Sequence, residues 1–171
     1  MAIANTIQTI IDTNKRTIIK RVGIIDSDET ETVFIEPLKL FGALNANGAY
    51  YQTGNTVSPG FANSAFTISR VIASVDAECG HLEIKWQGTS TSVPAYAFGV
   101  GNIDTNPSYQ LPVITNNAVG PTGNLTIKTV GTTTNACYTV IIELHKNGSY
   151  YDAGQLTDPA AFNYGIYALR P

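Results

Sequence analysis

Charge is scarce in this chain. Asp, Glu, Lys and Arg make up 13% of its 171 residues, against roughly 25% in an average soluble domain. With so few ionic groups, the surface has to be built from hydroxyls, amides and backbone. The formal charge of -3 and the pI near 5.2 count against a nucleic-acid binder, because that affinity rests on Lys and Arg neutralising phosphates. No nucleic-acid partner is expected.

Long apolar runs are missing too. No stretch approaches the roughly 18 residues that a membrane helix needs, and Met1-Ala2-Ile3-Ala4-Asn5-Thr6-Ile7-Gln8-Thr9-Ile10-Ile11 has neither the basic start nor the unbroken apolar core of a secretory signal. A soluble chain made in the cytoplasm is expected, with no membrane partner. There are two cysteines, Cys79 and Cys137, far apart in strand-like segments. This is not the dense pattern of a disulfide-stapled module, so both are read as reduced. A bridge would need Cα atoms within about 7 Å.

Histidine is as rare as cysteine, which limits catalysis. A nucleophile-base-acid arrangement needs a base, and His81 and His145 are the two available. Each sits two residues from a glutamate, Glu83 and Glu143, on the polar face of a strand, which reads as solvated decoration. Cys79-Gly80-His81 lacks a second ligand pair at zinc spacing. Asp26-Ser27-Asp28-Glu29-Thr30-Glu31 could hold calcium but lacks the glycine and ordered ligand spacing of a calcium loop, so a solvated turn is favoured. Gly99-Val100-Gly101 lacks the third glycine and the helix of a phosphate loop. Paired carboxylates for glycoside hydrolysis depend on separation in space, and thirteen acids give little material for them. No catalytic residue, metal or cofactor is assigned.

What is present is strand after strand. Thr17–Ile25 is rich in β-branched residues and ends at the acidic turn, Thr32–Ile35 is stopped by Pro37, and Phe66–Val75 is the next long run. His81–Gln87 alternates, with Leu82, Ile84 and Trp86 inward and His81, Glu83, Lys85 and Gln87 outward. Leu125, Ile127 and Thr129 share one face, as do Tyr138, Val140, Ile142 and Leu144. The segments Gly120–Gly131 and Tyr138–Gly148 read as a hairpin with one buried face, closed by an Asn-Gly turn. Helical spacing around Leu38–Leu44 survives for at most a turn or two. The expectation is an all-β antiparallel sandwich, jelly-roll-like, with a residue 1–15 N-terminal arm, a single domain over 16–171 and long irregular loops. A chain of this length buries roughly 70% of its unfolded surface without metals or disulfides.

Two features bear on interaction. Between Lys85 and Lys128 the one charged side chain is Asp104, and prolines punctuate the stretch. Tyr96, Phe98, Tyr109 and Leu111 are its candidate exposed groups, in irregular strands or in loops pressed against a partner. Separately, Asn47-Gly48-Ala49-Tyr50-Tyr51 echoes Asn147-Gly148-Ser149-Tyr150-Tyr151 at a constant offset, without similarity in the flanks. That makes two similar turns, not a repeat. Tyrosines beside Asn-Gly turns suit an interface, or cap the ends of a sandwich core. The candidate interface set is Tyr50, Tyr51, Tyr96, Phe98, Tyr109, Tyr150 and Tyr151.

Three blocks also carry a family resemblance. Residues 8–24, the Leu82-Glu83-Ile84-Lys85-Trp86 strand, and Asn116–Ile127 followed by Tyr138–Leu144 resemble, in order and spacing, small virion proteins of tailed bacteriophages. Asn124 stands where an aspartate is common in that family, and Lys39–Phe66 and Gln155–Pro171 look like additions. The resemblance implies a β-sandwich on the exterior of a phage capsid, a decoration (cement) protein that binds the major capsid protein and copies of itself, as a homotrimer. The residue 1–16 arm and the sparsely charged 88–124 segment would be its contact surfaces. A tail, fibre or neck module that binds carbohydrate or protein is the alternative, and an enzyme a third class.

Overall fold

Alternation of β-branched residues with polar ones builds most of the computed structural model, which describes residues 2–105 and 114–152. Its strands are β1 (Ala2–Asp12), β2 (Arg16–Ile25), β3 (Thr32–Ile35), β4 (Phe66–Val75), β5 (His81–Thr91), β6 (Val93–Phe98), β7 (Gly101–Asp104), β8 (Val119–Val130) and β9 (Ala136–Lys146). Leu38–Leu44 keeps one 3-10 turn, Pro37–Lys39, and a one-turn helix, α1 (Phe61–Ser64), precedes β4. No described helix is long and apolar enough to cross a membrane.

The strands form two antiparallel sheets, β1-β2-β9-β4-β7 and β3-β8-β5-β6. Two connections, β1 to β2 and β5 to β6, are hairpins, while every other link crosses from one sheet to the other. That order over β2–β9 is the double Greek key of a jelly roll, with β1 added at one edge. The inner faces meet as the alternation requires. Ile19, Val71, Val140, Ile142 and Leu144 come from one sheet, Leu82, Ile84, Trp86, Leu125 and Ile127 from the other, and all are buried. Phe66 and Trp86 pack across the interface with ring centroids 5.4 Å apart.

Two expectations are corrected here. The Gly120–Gly148 hairpin does not exist: β8 pairs with β5 and β3, whereas β9 pairs with β2 and β4. The faces were assigned correctly, but the turn after Val130 carries the chain between sheets, so the two buried faces look at each other. Sheets stack about 10 Å apart, and the connection bends through Gly131 at φ 87° and Asn135 at φ 61°. Residues 2–12, expected as part of an arm, are β1, paired along β2 from Ala2↔Ile25 to Asp12↔Thr17.

A polar network crosses the core at β2. Arg21, 1% exposed, bonds Glu29 at 2.7 Å and the Tyr138 phenol at 2.9 Å, and that phenol donates to Glu29. The Tyr138 ring lies over Gly23, where a Cβ would stand 2.3 Å from it, so only glycine fits. The acidic turn is thereby explained. Asp26 and Asp28 accept the Asn135 and Thr132 backbone N–H groups, Glu29 faces Arg21, and Glu31 binds Lys85 and Ser92. Hydrogen bonds from Lys85 and Ser92 hold Glu31 below the usual carboxylate range. These carboxylates fasten the turn to the sandwich: Asp26 and Asp28 stay exposed, as a solvated turn requires, while Glu29 is buried and Glu31 partly so. Both cysteines are free, Cys79 buried and Cys137 exposed, and burial pushes the Cys79 thiol up to about 11.

Candidate functional site: a groove beside the first tyrosine turn

Each echoing turn is held by an asparagine side chain, Asn45, two residues before the echo, in the first and Asn147 in the second. Asn45 Oδ1 accepts the N–H groups of Asn47 and Ala49 at 2.9 and 3.1 Å, and Gly48 takes φ 78°. Asn147 Oδ1 accepts Ser149 N–H at 3.0 Å, and the Asn147 carbonyl accepts from Tyr150 and Tyr151. Such side-chain bonds to the following backbone are what Asn supplies in turns.

The two turns converge on one segment, Gly42-Ala43-Leu44. Tyr51 N–H donates to Ala43 O at 2.7 Å, Leu44 N–H to Tyr150 O at 2.9 Å, and Asp152 N–H to Gly42 O at 2.7 Å. The Tyr50 phenol then spans the turns to Asp152 Oδ2 at 2.5 Å. Desolvation and the neighbouring carboxylate push this phenol up to about 12.

Phe41, just before that segment, is held through its backbone. Its N–H donates to Asp12 Oδ2 and its carbonyl accepts from Lys146 Nζ, both at 2.7 Å. Lys146 has no exposed side-chain surface; its ammonium also meets Asp12 Oδ1 at 2.5 Å and Thr13 O at 2.7 Å, and it lies 4.9 Å from the Tyr151 ring centroid. Three acceptors satisfy its three donors, as a buried charge requires, although burial still lowers its pKa. The end of β1, the end of β9 and the 41–44 segment are thus tied at one point.

The result is a groove of about 560 Å³ lined by Leu38, Leu40, Phe41, Ala43, Tyr50 and Tyr51. Lys39 and Glu36 stand at its rim, paired at 2.7 Å. The volume falls within the roughly 300–1,000 Å³ typical of ligand sites, and an apolar lining with a few fixed polar groups is their usual chemistry.

Of the predicted interface residues, Tyr50 and Tyr51 line this groove. Tyr150 is half-buried, edge-on to Phe61 at 5.7 Å. Tyr151 is corrected to core: it is 0% exposed, and its phenol donates to Pro37 O at 2.9 Å. Phe98 is also core, 4% exposed, with Tyr96 stacked on it at 5.5 Å. Tyr109 and Leu111 lie outside the described residues. Leu38, Leu40 and Phe41 were missed as lining residues; their apolar run, judged for helix, carried the signal.

The histidines stand where alternation put them. His81 Nε2 is 3.5 Å from Glu83 and His145 Nε2 3.8 Å from Glu143, with the imidazoles 43% and 61% exposed. His145 borders a polar cleft of about 650 Å³ lined by Asn63, Thr67, Asn116 and Asn117. Among the described residues no group of three or more His, Cys, Asp or Glu is placed to hold a metal.

Comparison with known proteins adds little to the fold. No protein-family model matches the chain, and no curated protein does. Among solved structures, a cupin domain from Bordetella pertussis Tohama I is similar at 9% identity, over 84% of this chain and 94% of that one, with a TM-score of 0.32. The expected role as a capsid decoration protein, with its tail, fibre or neck alternative, is corrected on this finding. No family model and no curated protein supports a virion role, and the solved neighbour named above is a bacterial cupin domain.

Proposed function

We propose that this protein acts by binding, not by catalysis, and that the groove between the 36–43 segment and the Tyr50-Tyr51 turn receives an apolar side chain presented by a protein partner. The observation that carries this reading is the groove itself. Its floor is aliphatic and aromatic, its backbone is fixed through Asp12 and Lys146, and its rim charges, Lys39 and Glu36, already neutralise each other. A pre-set wall costs little ordering on binding. A charged ligand would find no free counter-charge there, whereas a leucine- or phenylalanine-sized group would exchange water for Leu38, Leu40 and Tyr51. Tyrosine adds contact area with few rotors to freeze.

The test is a nuclear magnetic resonance titration with side-chain-sized probes. The amides of N-acetyl-leucine and N-acetyl-phenylalanine should shift Leu38, Ala43 and Tyr51, and N-acetyl-lysine amide should not. Tyr51→Ser should weaken the apolar probes by roughly tenfold, the loss expected for about 1.4 kcal/mol of contact. Shifts spread evenly over the surface, or equal responses to the lysine probe, would overturn the reading.

A further inference from the structure

Edge strands expose unpaired N–H and C=O groups, and proteins ordinarily blunt them with shortness, proline, charge or a cover. Among the described residues, three of the four sheet edges follow that rule. β3 and β7 are four residues each, and β6 contains Pro94. β1 departs from it. It runs eleven residues, Ala2-Ile3-Ala4-Asn5-Thr6-Ile7-Gln8-Thr9-Ile10-Ile11-Asp12, with no glycine, proline or lysine and no charge before Asp12. Register shifts fall near its two ends, between Ala2 and Ala4 and between Thr9 and Ile11, leaving Ala4–Thr9 regular. Residues 4–10 are exposed although β2 pairs with them, with Ile7 at 50% and Ile10 at 48%, and Ile24 of β2, beside Ala4, at 37%. The strand is long, regular in its middle, uncharged up to Asp12 and, among the described residues, unpaired along its outer edge.

We infer that the free edge of β1 pairs antiparallel with β1 of a second copy of this chain, joining two five-stranded sheets into one across a two-fold axis. Charge selects this occupant. A two-fold pairing through a strand sets the residue on the axis against its own symmetry mate and brings its neighbours close to theirs, which opposes like charges wherever the middle of the strand is ionic. Here every position from 2 to 11 is neutral. With the axis at Ile7, the β-branched Ile7 meets the partner's Ile7, Thr6 meets the partner's Gln8, and Asn5, whose amide donates to Glu29 of its own chain at 2.7 Å, meets the partner's Thr9, so no pair opposes charges. Asp12 lies at the far end, already bound to Thr17 and Lys146, and takes no part. The contact is isologous and closes as a dimer, unlike the three-fold assembly expected from the resemblance.

The experiment is sedimentation velocity of the full chain over a wide concentration range. A monomer–dimer equilibrium is expected for the wild type. Ile7→Lys, an exposed position, should weaken it at least tenfold by setting two ammonium groups face to face, while Val100→Lys, equally exposed at 58% in the β6–β7 turn, should leave it unchanged. In a Cys137→Ser background, a nitroxide on Ile7→Cys should show mutual dipolar broadening in the dimer. A wild type that stays monomeric throughout overturns the inference. So does a dimer that tolerates Ile7→Lys, or one whose Ile7 labels stay magnetically separate.

Discussion

The turns at Asn47-Gly48 and Asn147-Gly148 share most of their sequence and end up in different physical settings. Tyr151 is sealed beneath Phe61 and above the Lys146 ammonium, while its counterpart Tyr51 stays half-buried on a groove wall. Tyr150 rests on Phe61, and its counterpart Tyr50 reaches across to Asp152. The difference comes from what precedes each turn. The second follows directly on β9, a central strand of the five-stranded sheet, so its tyrosines are delivered to the core. The first follows a short segment outside both sheets. One motif therefore serves stability at one site and surface chemistry at the other.

Truncation should separate the two most strongly. Tyr151→Ala removes a fully buried aromatic and should cost about 4 kcal/mol, the range for large core truncations, read as a lower urea midpoint at unchanged slope. Tyr51→Ala should cost about 1 kcal/mol or less, as at partly exposed sites. Equal losses would mean that the groove wall is structural and the contrast between the turns false.

This contrast shows how far the sequence could be read. Alternation identified the inward faces of β5, β8 and β9, because it depends on each strand alone: Leu82, Ile84, Trp86, Leu125, Ile127, Tyr138, Val140, Ile142 and Leu144 are all buried. It could not say which strands are neighbours, so two strands adjacent in sequence were paired when they belong to opposite sheets. The echo located both turns but not their fates, which hang on a local bond from Tyr51 to Ala43 and on distant ones that join Tyr150 to Leu44 and Tyr151 to Pro37, the last across 114 positions. The same distance hid Glu29, which meets Tyr138 across 109 positions, and Lys146, which meets Asp12 across 134. Non-local partners turned one residue of the acidic run, Glu29, and a strand-end lysine, Lys146, into buried anchors.

Removing only the hydroxyls should sharpen the comparison on a smaller scale. Tyr151→Phe leaves the Pro37 carbonyl without this buried donor and should cost about 1 to 2 kcal/mol, whereas Tyr51→Phe should stay within about 0.5 kcal/mol. Thermal unfolding of the two variants side by side is sufficient. A Tyr151→Phe protein as stable as the wild type would place that phenol outside the stabilising contacts of the core.

The smallest effect is a pH dependence that sets Tyr50 apart from Tyr51. In the folded chain the Tyr50 phenol titrates near 12, raised from 10.0 chiefly by desolvation and then by Asp152. Below pH 10.0 the phenol keeps its proton whether the chain is folded or unfolded, and the stability it contributes is fully present. Between 10.0 and about 12 the unfolded chain gives up that proton while the folded chain retains it, so folding binds the extra proton and stability falls as pH rises. Tyr50→Phe removes the titrating group. Its stability difference from the wild type should therefore be constant below pH 10.0 and shift steadily in favour of the variant toward pH 12. Tyr151 is raised by burial as well, so both proteins lose stability over this window, and only the difference between them isolates Tyr50. Urea midpoints of the wild type, Tyr50→Phe and Tyr51→Phe across the window decide the matter. A Tyr50→Phe difference that stays flat with pH would show that the phenol is not held against Asp152, and the two turns would then not be tied together at the groove.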